Sequence, residues 1–148
     1  MLITTRRLSD SAEVCQASSL FRNAYAEAPW YETWTELAAH ERLLELAGMP
    51  GRIAVGAYVE SRMIGITVGF TQSNVRGKSL YIAEVVVEPY YQAKGVGRRL
   101  LEVMQQEAKA EGHVGAWLVT RGEGRTAEFY RKLDFTQSES LRIFNLML

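Results

Sequence analysis

The stretch Gln92-Ala93-Lys94-Gly95-Val96-Gly97-Arg98 follows an apolar, β-rich run, Leu80 to Val87, and opens a long amphipathic helical pattern. A strand that runs directly into a helix N-terminus presents unpaired main-chain N–H groups, and the helix dipole adds about half a positive charge there. Gly95 and Gly97 remove side chains where an anion must come close to the backbone, and Lys94 and Arg98 add charge. The chemistry that suits such a turn is metal-free phosphate binding. The turn lacks the Gly-Lys-Ser/Thr ending of a nucleoside-triphosphate loop, and Leu100 stands where a dinucleotide turn has its third glycine. Glu84 is the only charged residue in Leu80 to Val87, and strand alternation puts it on a face with Leu80, Ile82 and Val86. Desolvation there raises a carboxylate's pKa toward a range useful for accepting protons, unless the group reaches solvent or pairs with an arginine.

The elements that must position these residues read as one mixed α/β domain spanning 1–148. Residues 1–7 form a first strand, and Asp10 with Glu13 resembles a capped start for a helix running past Phe21 to Tyr25. Glu27-Ala28-Pro29-Trp30-Tyr31 breaks that helix, and Thr33 with Glu36 opens another to about Leu46. Arg52 to Val59 and Arg62 to Thr71 read as a hairpin around Glu60-Ser61, and a polar stretch from Gln72 to Lys78 leads to the central strand. Gly95 to Glu111 is the clearest helix, with Gly112 at its C-terminal cap position. His113 to Thr120 reads as a strand, Thr126 to Leu133 as a short helix, and Phe135 onward as the last strands.

Composition narrows the function class. The 148 residues suit one core, and 17 basic against 17 acidic side chains give no surplus for a general nucleic-acid binder. No segment reaches the roughly 20 apolar residues of a membrane helix, and the N-terminus lacks the apolar core of a signal peptide. The single cysteine, Cys15, cannot form an internal disulfide, so a reducing cytoplasm is the expected compartment. His40 and His113 have no partners at metal-ligand spacing, and no metal is expected.

With these residues in view, the chain resembles the GNAT superfamily of N-acetyltransferases. Gln92, Gly95 and Gly97 fit its Gln/Arg-x-x-Gly-x-Gly/Ala signature, and Val87 and Pro89 fit the Val-x-Pro that precedes it. Residues 127–135, Ala-Glu-Phe-Tyr-Arg-Lys-Leu-Asp-Phe, resemble the family's Ala-x-x-Phe-Tyr-x-x-Leu-Gly-Phe segment, with one residue fewer between the alanine and the phenylalanine, and Ala57 to Gly65 resembles its hairpin. Two positions depart from the pattern: Asp134 replaces a glycine, and Gly124 stands where an asparagine is usual.

The resemblance implies a mixed, mostly antiparallel sheet flanked by helices and a reaction that moves an acetyl group from acetyl-CoA to a primary amine. It implies that main-chain groups of Val85, Val86 and Val87 pair with the pantetheine arm. Amides from Gln92, Ala93, Lys94, Gly95, Val96 and Gly97 would hold the pyrophosphate, with Arg98 adding charge. Tyr130 matches the family tyrosine that protonates the departing thiolate, and a strand amide near Val85 would polarise the thioester carbonyl. An attacking amine must be neutral, which gives Glu84 work as a general base, directly or through water. Tyr25, Trp30 and Tyr31, with Glu27 and Trp34, crowd the break between the first two helices and suit a cationic acceptor, or simply helix packing. The acceptor is a small-molecule amine or a protein amine, with neither nucleic acid nor membrane involved. A homodimer through an edge strand is open. The rival functions are a coenzyme A-binding sensor without turnover and a structural domain that dimerises through its last strands.

Overall fold

The computed structural model describes residues 2–148. Packing falls into two compact units, one ending at Leu118 and the other Val119–Leu148.

The first unit holds a five-stranded sheet in the order β1 (Ile3–Arg7), β2 (Ile53–Val59), β3 (Arg62–Asn74), β4 (Gly77–Val87) and β5 (Gly115–Trp117). All pairings are antiparallel except β4 with β5. The helices are α1 (Ser11–Cys15), α2 (Ser18–Ala26), α3 (Glu36–Ala47) and α4 (Val96–Ala110). The helix expected as one piece from Asp10 is thus two, separated at Gln16–Ala17, and α1 is capped by Asp10 on the amide of Glu13. Glu13 reaches back to the amide of Ser9 rather than to the cap residue itself. Backbone and hydroxyl hydrogen bonds from Ser9, together with Arg6, hold its carboxyl down to about 2. The cap of α3 is Thr35, two residues beyond the expected Thr33. The polar stretch from Gln72 to Lys78 is not a connection but the tip of a hairpin, with Asn74 opposite Gly77.

Gly65 and Thr67 of β3 face α4. A side chain at Gly65 would meet Leu100 and Val96, and the Thr67 hydroxyl lies 3.5 Å from the Met104 sulfur. The intervening Ile66 and Val68 pack with Phe21, Leu43 and the other buried residues of α1–α3. Each face therefore has its own core, and the sheet between them is apolar on both sides.

One irregularity decides what β4 presents. Val68 lies opposite Glu84, and Gly69 lies opposite Ile82, so Ala83 is an extra residue in the ladder. A bulge of one residue inverts the alternation that follows it. Leu80 and Ile82 consequently face α4, whereas Glu84 and Val86 face α1–α3. The shared face expected for Glu84 with Leu80 and Ile82 is corrected by this bulge; only Val86 remains with it.

The second unit contains α5 (Gly124–Lys132). Its end is a Schellman turn: the amide of Phe135 donates to Tyr130 O and that of Asp134 to Arg131 O, both at 3.1 Å. Asp134 takes φ +68°, the left-handed conformation a glycine would supply there, and the rings of Tyr130 and Phe135 meet at 5.5 Å. The departure from the family pattern therefore preserves the turn, because aspartate tolerates this region better than most residues. No strand follows among the described residues, contrary to the expectation for Phe135 onward. A strand takes its hydrogen bonds from a neighbour, and this unit holds no strand to supply them.

Candidate functional site

The turn after β4 is built to leave amides free. Pro89–Tyr91 forms one turn of 3₁₀ helix, closed by the amide of Tyr91 donating to Glu88 O and that of Gln92 to Pro89 O. The chain then passes through two left-handed residues, Ala93 at φ +59° and Gly95 at φ +84°, before α4 begins. The amide of Arg99, on Gly95 O at 3.1 Å, begins the helical ladder. Among the described residues no main-chain carbonyl accepts from the amides of Ala93 to Arg98. The first amides of a helix have no partner within it. Residues 92–95 are exposed, and a side chain at Gly95 would meet nothing within 4 Å. These open amides at a helix N-terminus fit a diphosphate.

The details revise the part each residue plays. The Gln92 amide is used within the turn, and its side-chain amide donates to Val87 O at 2.9 Å, so Gln92 braces the loop rather than offering an N–H to a ligand. Lys94 lies with Nζ 4.1 Å above the Tyr90 ring, a cation–π contact that keeps the ammonium at the loop. Arg98 pairs with Glu102 at 2.9 Å across one helical turn, so part of its charge is already answered.

Beside this turn β4 has an unpaired edge. β5 covers only Ser79 to Tyr81, and no strand follows it along β4 among the described residues. The Glu88 amide donates to Ile64 O of β3, and Glu84 O accepts from the Thr67 hydroxyl. Alternation along the strand then turns the main-chain groups of Glu84 and Val86 to β3, and those of Val85 and Val87 to the open edge. Val86 therefore cannot pair with an added strand, and Val87 O is already held by Gln92. The Val85 N–H and C=O and the Val87 N–H are the groups this edge offers.

Glu84 is 7% exposed. The Tyr25 hydroxyl, on α2, donates to one of its oxygens in a short hydrogen bond. Arg42, on α3, holds the other, with Nε and Nη2 each 3.1 Å from Oε2. Burial pushes the Glu84 carboxyl above the usual carboxylate range; the bond from Tyr25 and the charge of Arg42 oppose the shift, and Glu32 adds to it. Arg42 was not singled out in the sequence, where nothing links it to a residue 42 positions away.

The aromatic side chains of the helix break are only partly brought together. Tyr25 packs against Phe21 at 4.7 Å, Trp30 at 5.8 Å and Trp34 at 6.3 Å between ring centroids. Tyr31, expected with them, is 75% exposed and makes no ring contact with this group. It follows the break at φ +49°, which turns it out of the cluster. Glu27 is likewise exposed.

In the second unit Tyr130 is half-buried between Phe129, at 5.0 Å, and Phe135. His113 is a brace: Nε2 lies 2.9 Å from the Thr71 hydroxyl and Nδ1 3.0 Å from Ala108 O. The described residues contain no group of three or more His, Cys, Asp or Glu placed to hold a metal ion, and no helix long and apolar enough to cross a membrane.

The Acetyltransferase (GNAT) family model matches residues 19–135. Among solved structures, a possible acetyltransferase from Clostridium difficile 630 superposes with a TM-score of 0.81 at 16% identity, covering 100% of this chain and 99% of its own. An aminoglycoside acetyltransferase from an uncultured soil metagenomic sample, in complex with sisomicin, gives 0.77 at 18%, covering 99% and 96%. The ribosomal-protein-alanine N-acetyltransferase of Brucella melitensis biovar Abortus 2308 gives 0.76 at 14%, covering 98% and 100%. No curated protein matches the sequence.

Proposed function

This chain belongs to the acetyltransferase (GNAT) family, and on that premise we propose that it moves the acetyl group of acetyl-CoA to a primary amine by direct attack. The observation that carries the reading is the pairing of two open main-chain surfaces: the amides from Ala93 to Arg98 and the edge of β4 at Val85 and Val87. The first suits the pyrophosphate of coenzyme A, and the second suits a pantetheine arm laid along the sheet as an added strand. The Val85 N–H, turned to that edge, would donate to a thioester oxygen as charge develops on it.

The amine must lose a proton to attack, and an alkyl ammonium has a pKa near ~10 in water. Glu84, buried and raised above the usual carboxylate range, accepts that proton. Tyr130 returns a proton to the departing thiolate, the role carried by the matching tyrosine of the family. The acceptor is a small-molecule or protein amine; aminoglycoside and ribosomal-protein acetyltransferases both occur among the structural neighbours. No charged surplus or membrane helix points to a nucleic acid or bilayer partner, and the cytoplasm is the compartment that suits a lone free thiol.

Two measurements test this. Calorimetric titration with coenzyme A should give a single binding event. Thiol release from acetyl-CoA should then depend on an added amine from a panel of spermidine, an aminoglycoside, free lysine and an alanine-leading peptide. Binding without amine-dependent release from any of them would favour the sensor reading instead. Tyr130→Phe should lower kcat by roughly 10- to 100-fold while leaving coenzyme A binding in place.

A further inference from the structure

Each oxygen of the carboxylate assigned as base already accepts a hydrogen bond from the protein. Tyr25 occupies Oε1 and Arg42 occupies Oε2, each from a different helix. An amine that reached Glu84 directly would have to share an oxygen with Tyr25 or Arg42, on a carboxylate that is 7% exposed. The Arg42 side lies behind a guanidinium that cannot accept a proton at all. The Tyr25 side is different. A phenol carries one proton and two lone pairs, and the Tyr25 proton points at Glu84. Toward any further partner the Tyr25 oxygen therefore acts as an acceptor. Its ring is fixed from three sides by Phe21, Trp30 and Trp34, which gives the hydroxyl one orientation.

We propose that Tyr25 is a catalytic proton relay, standing between the acceptor amine and Glu84, with Arg42 as the positioning residue that holds the carboxylate in register. The step balances without an added reactant. The N–H bond of the ammonium breaks and its proton passes to Tyr25 Oη. The Tyr25 O–H proton passes at the same time to Glu84 Oε1, and the electron pair left on nitrogen attacks the thioester. Tyr25 ends unchanged and Glu84 ends protonated, to be discharged to solvent after the product leaves. Because the relay ring lies among Phe21, Trp30 and Trp34 in tilted and edge-on contacts, the acceptor amine meets an aromatic cluster before it meets the carboxylate. The groups facing this pair are Arg42 from α3 and Glu32 from the segment after α2.

The inference rests on the transferase reading, and the experiment separates the two. Wild-type protein is first assayed for amine-dependent thiol release with the panel above; absence of turnover on every amine overturns both. With turnover established, Tyr25→Phe should lower kcat/KM about 100-fold, with coenzyme A affinity and melting temperature close to wild type. Tyr25→Phe/Glu84→Gln should be no slower than the slower single variant, because the two groups act as one unit. Arg42→Gln should move the acid limb of the kcat/KM profile to higher pH, since the cation that favours the ionised carboxylate is gone. A variant carrying 3-fluorotyrosine at position 25 keeps the ring and its packing but has a more acidic phenol. The relay requires its pH profile to move, whereas a packing role leaves it where it was. Retention of more than about half of kcat/KM by Tyr25→Phe, or strictly multiplicative losses in the double variant, overturns the relay and leaves the acetyltransferase reading standing.

Discussion

The turn after β4 and the middle of β4 both handle charge, and they do it with opposite materials. In the turn, the backbone does the work. Left-handed residues at Ala93 and Gly95 aim successive amides outward, the surface is exposed, and the nearby cations are occupied elsewhere, Lys94 on Tyr90 and Arg98 on Glu102. At Glu84 the side chains do the work: a carboxylate taken out of water, a phenol and a guanidinium brought from two helices. The first kind of site is local, fixed by a few consecutive residues, and tolerates losing any one charge. The second is assembled from residues 42 and 59 positions away from Glu84, and removing either leaves the buried carboxylate short of a partner.

The comparison can be broken most sharply at the carboxylate. Glu84→Gln should cost about 100-fold or more in kcat/KM, the range of a lost general base, with calorimetric coenzyme A affinity unchanged. A matching loss of cofactor affinity would mean the two regions are not separable. The next effect is expected at the turn. Gly95→Ala places a side chain at φ +84°, where left-handed backbone costs an L-residue roughly 1–2 kcal/mol. Loss of coenzyme A affinity by about tenfold, at 1.4 kcal/mol per decade, should follow as the loop relaxes, with kcat at saturation preserved.

The pH response sharpens it further. With Glu84 as the proposed base, kcat/KM should fall as pH drops through the raised pKa of that group. Stability runs the other way. A raised folded-state pKa favours the fold below the ordinary carboxylate range, and that contribution is lost as pH rises through the folded value. Glu13 has the opposite sign: held down to about 2, it supports the fold above the ordinary range and loses that support as pH falls toward 2. Melting curves of Glu84→Gln and Glu13→Gln against wild type, taken from neutral pH downward, should therefore diverge in opposite directions. The smallest effect is expected from Arg98→Gln. An exposed ion pair one helical turn long contributes little, and the proposed phosphate contacts are main-chain, so coenzyme A affinity should change by less than about threefold at physiological salt.

Much of this was legible before any coordinates. The order of strands and helices from β2 to α5, the sheet with two covered faces and the helix from Val96 to Ala110 follow from apolar periodicity and from glycine and proline punctuation. The glycine turn at the start of α4 was legible because the residues that shape it are consecutive. What misled was the assumption of unbroken alternation. Leu80, Ile82, Glu84 and Val86 share a period of two, and only pairing with β3 reveals that Ala83 is extra. Main-chain direction was hidden for the same reason: that Val85 faces the edge while Val86 faces β3 depends on which strand stands alongside.

The sequence by itself thus determined where amides are left open at a helix start, since such a turn needs no distant partner. It also determined that one carboxylate would sit in an apolar strand. Only the tertiary structure decided which face that carboxylate serves and which groups meet it. A single unpaired residue inverts every side chain beyond it, and the groups that meet the carboxylate, Tyr25 and Arg42, stand where helix packing sets them rather than anything adjacent in the chain.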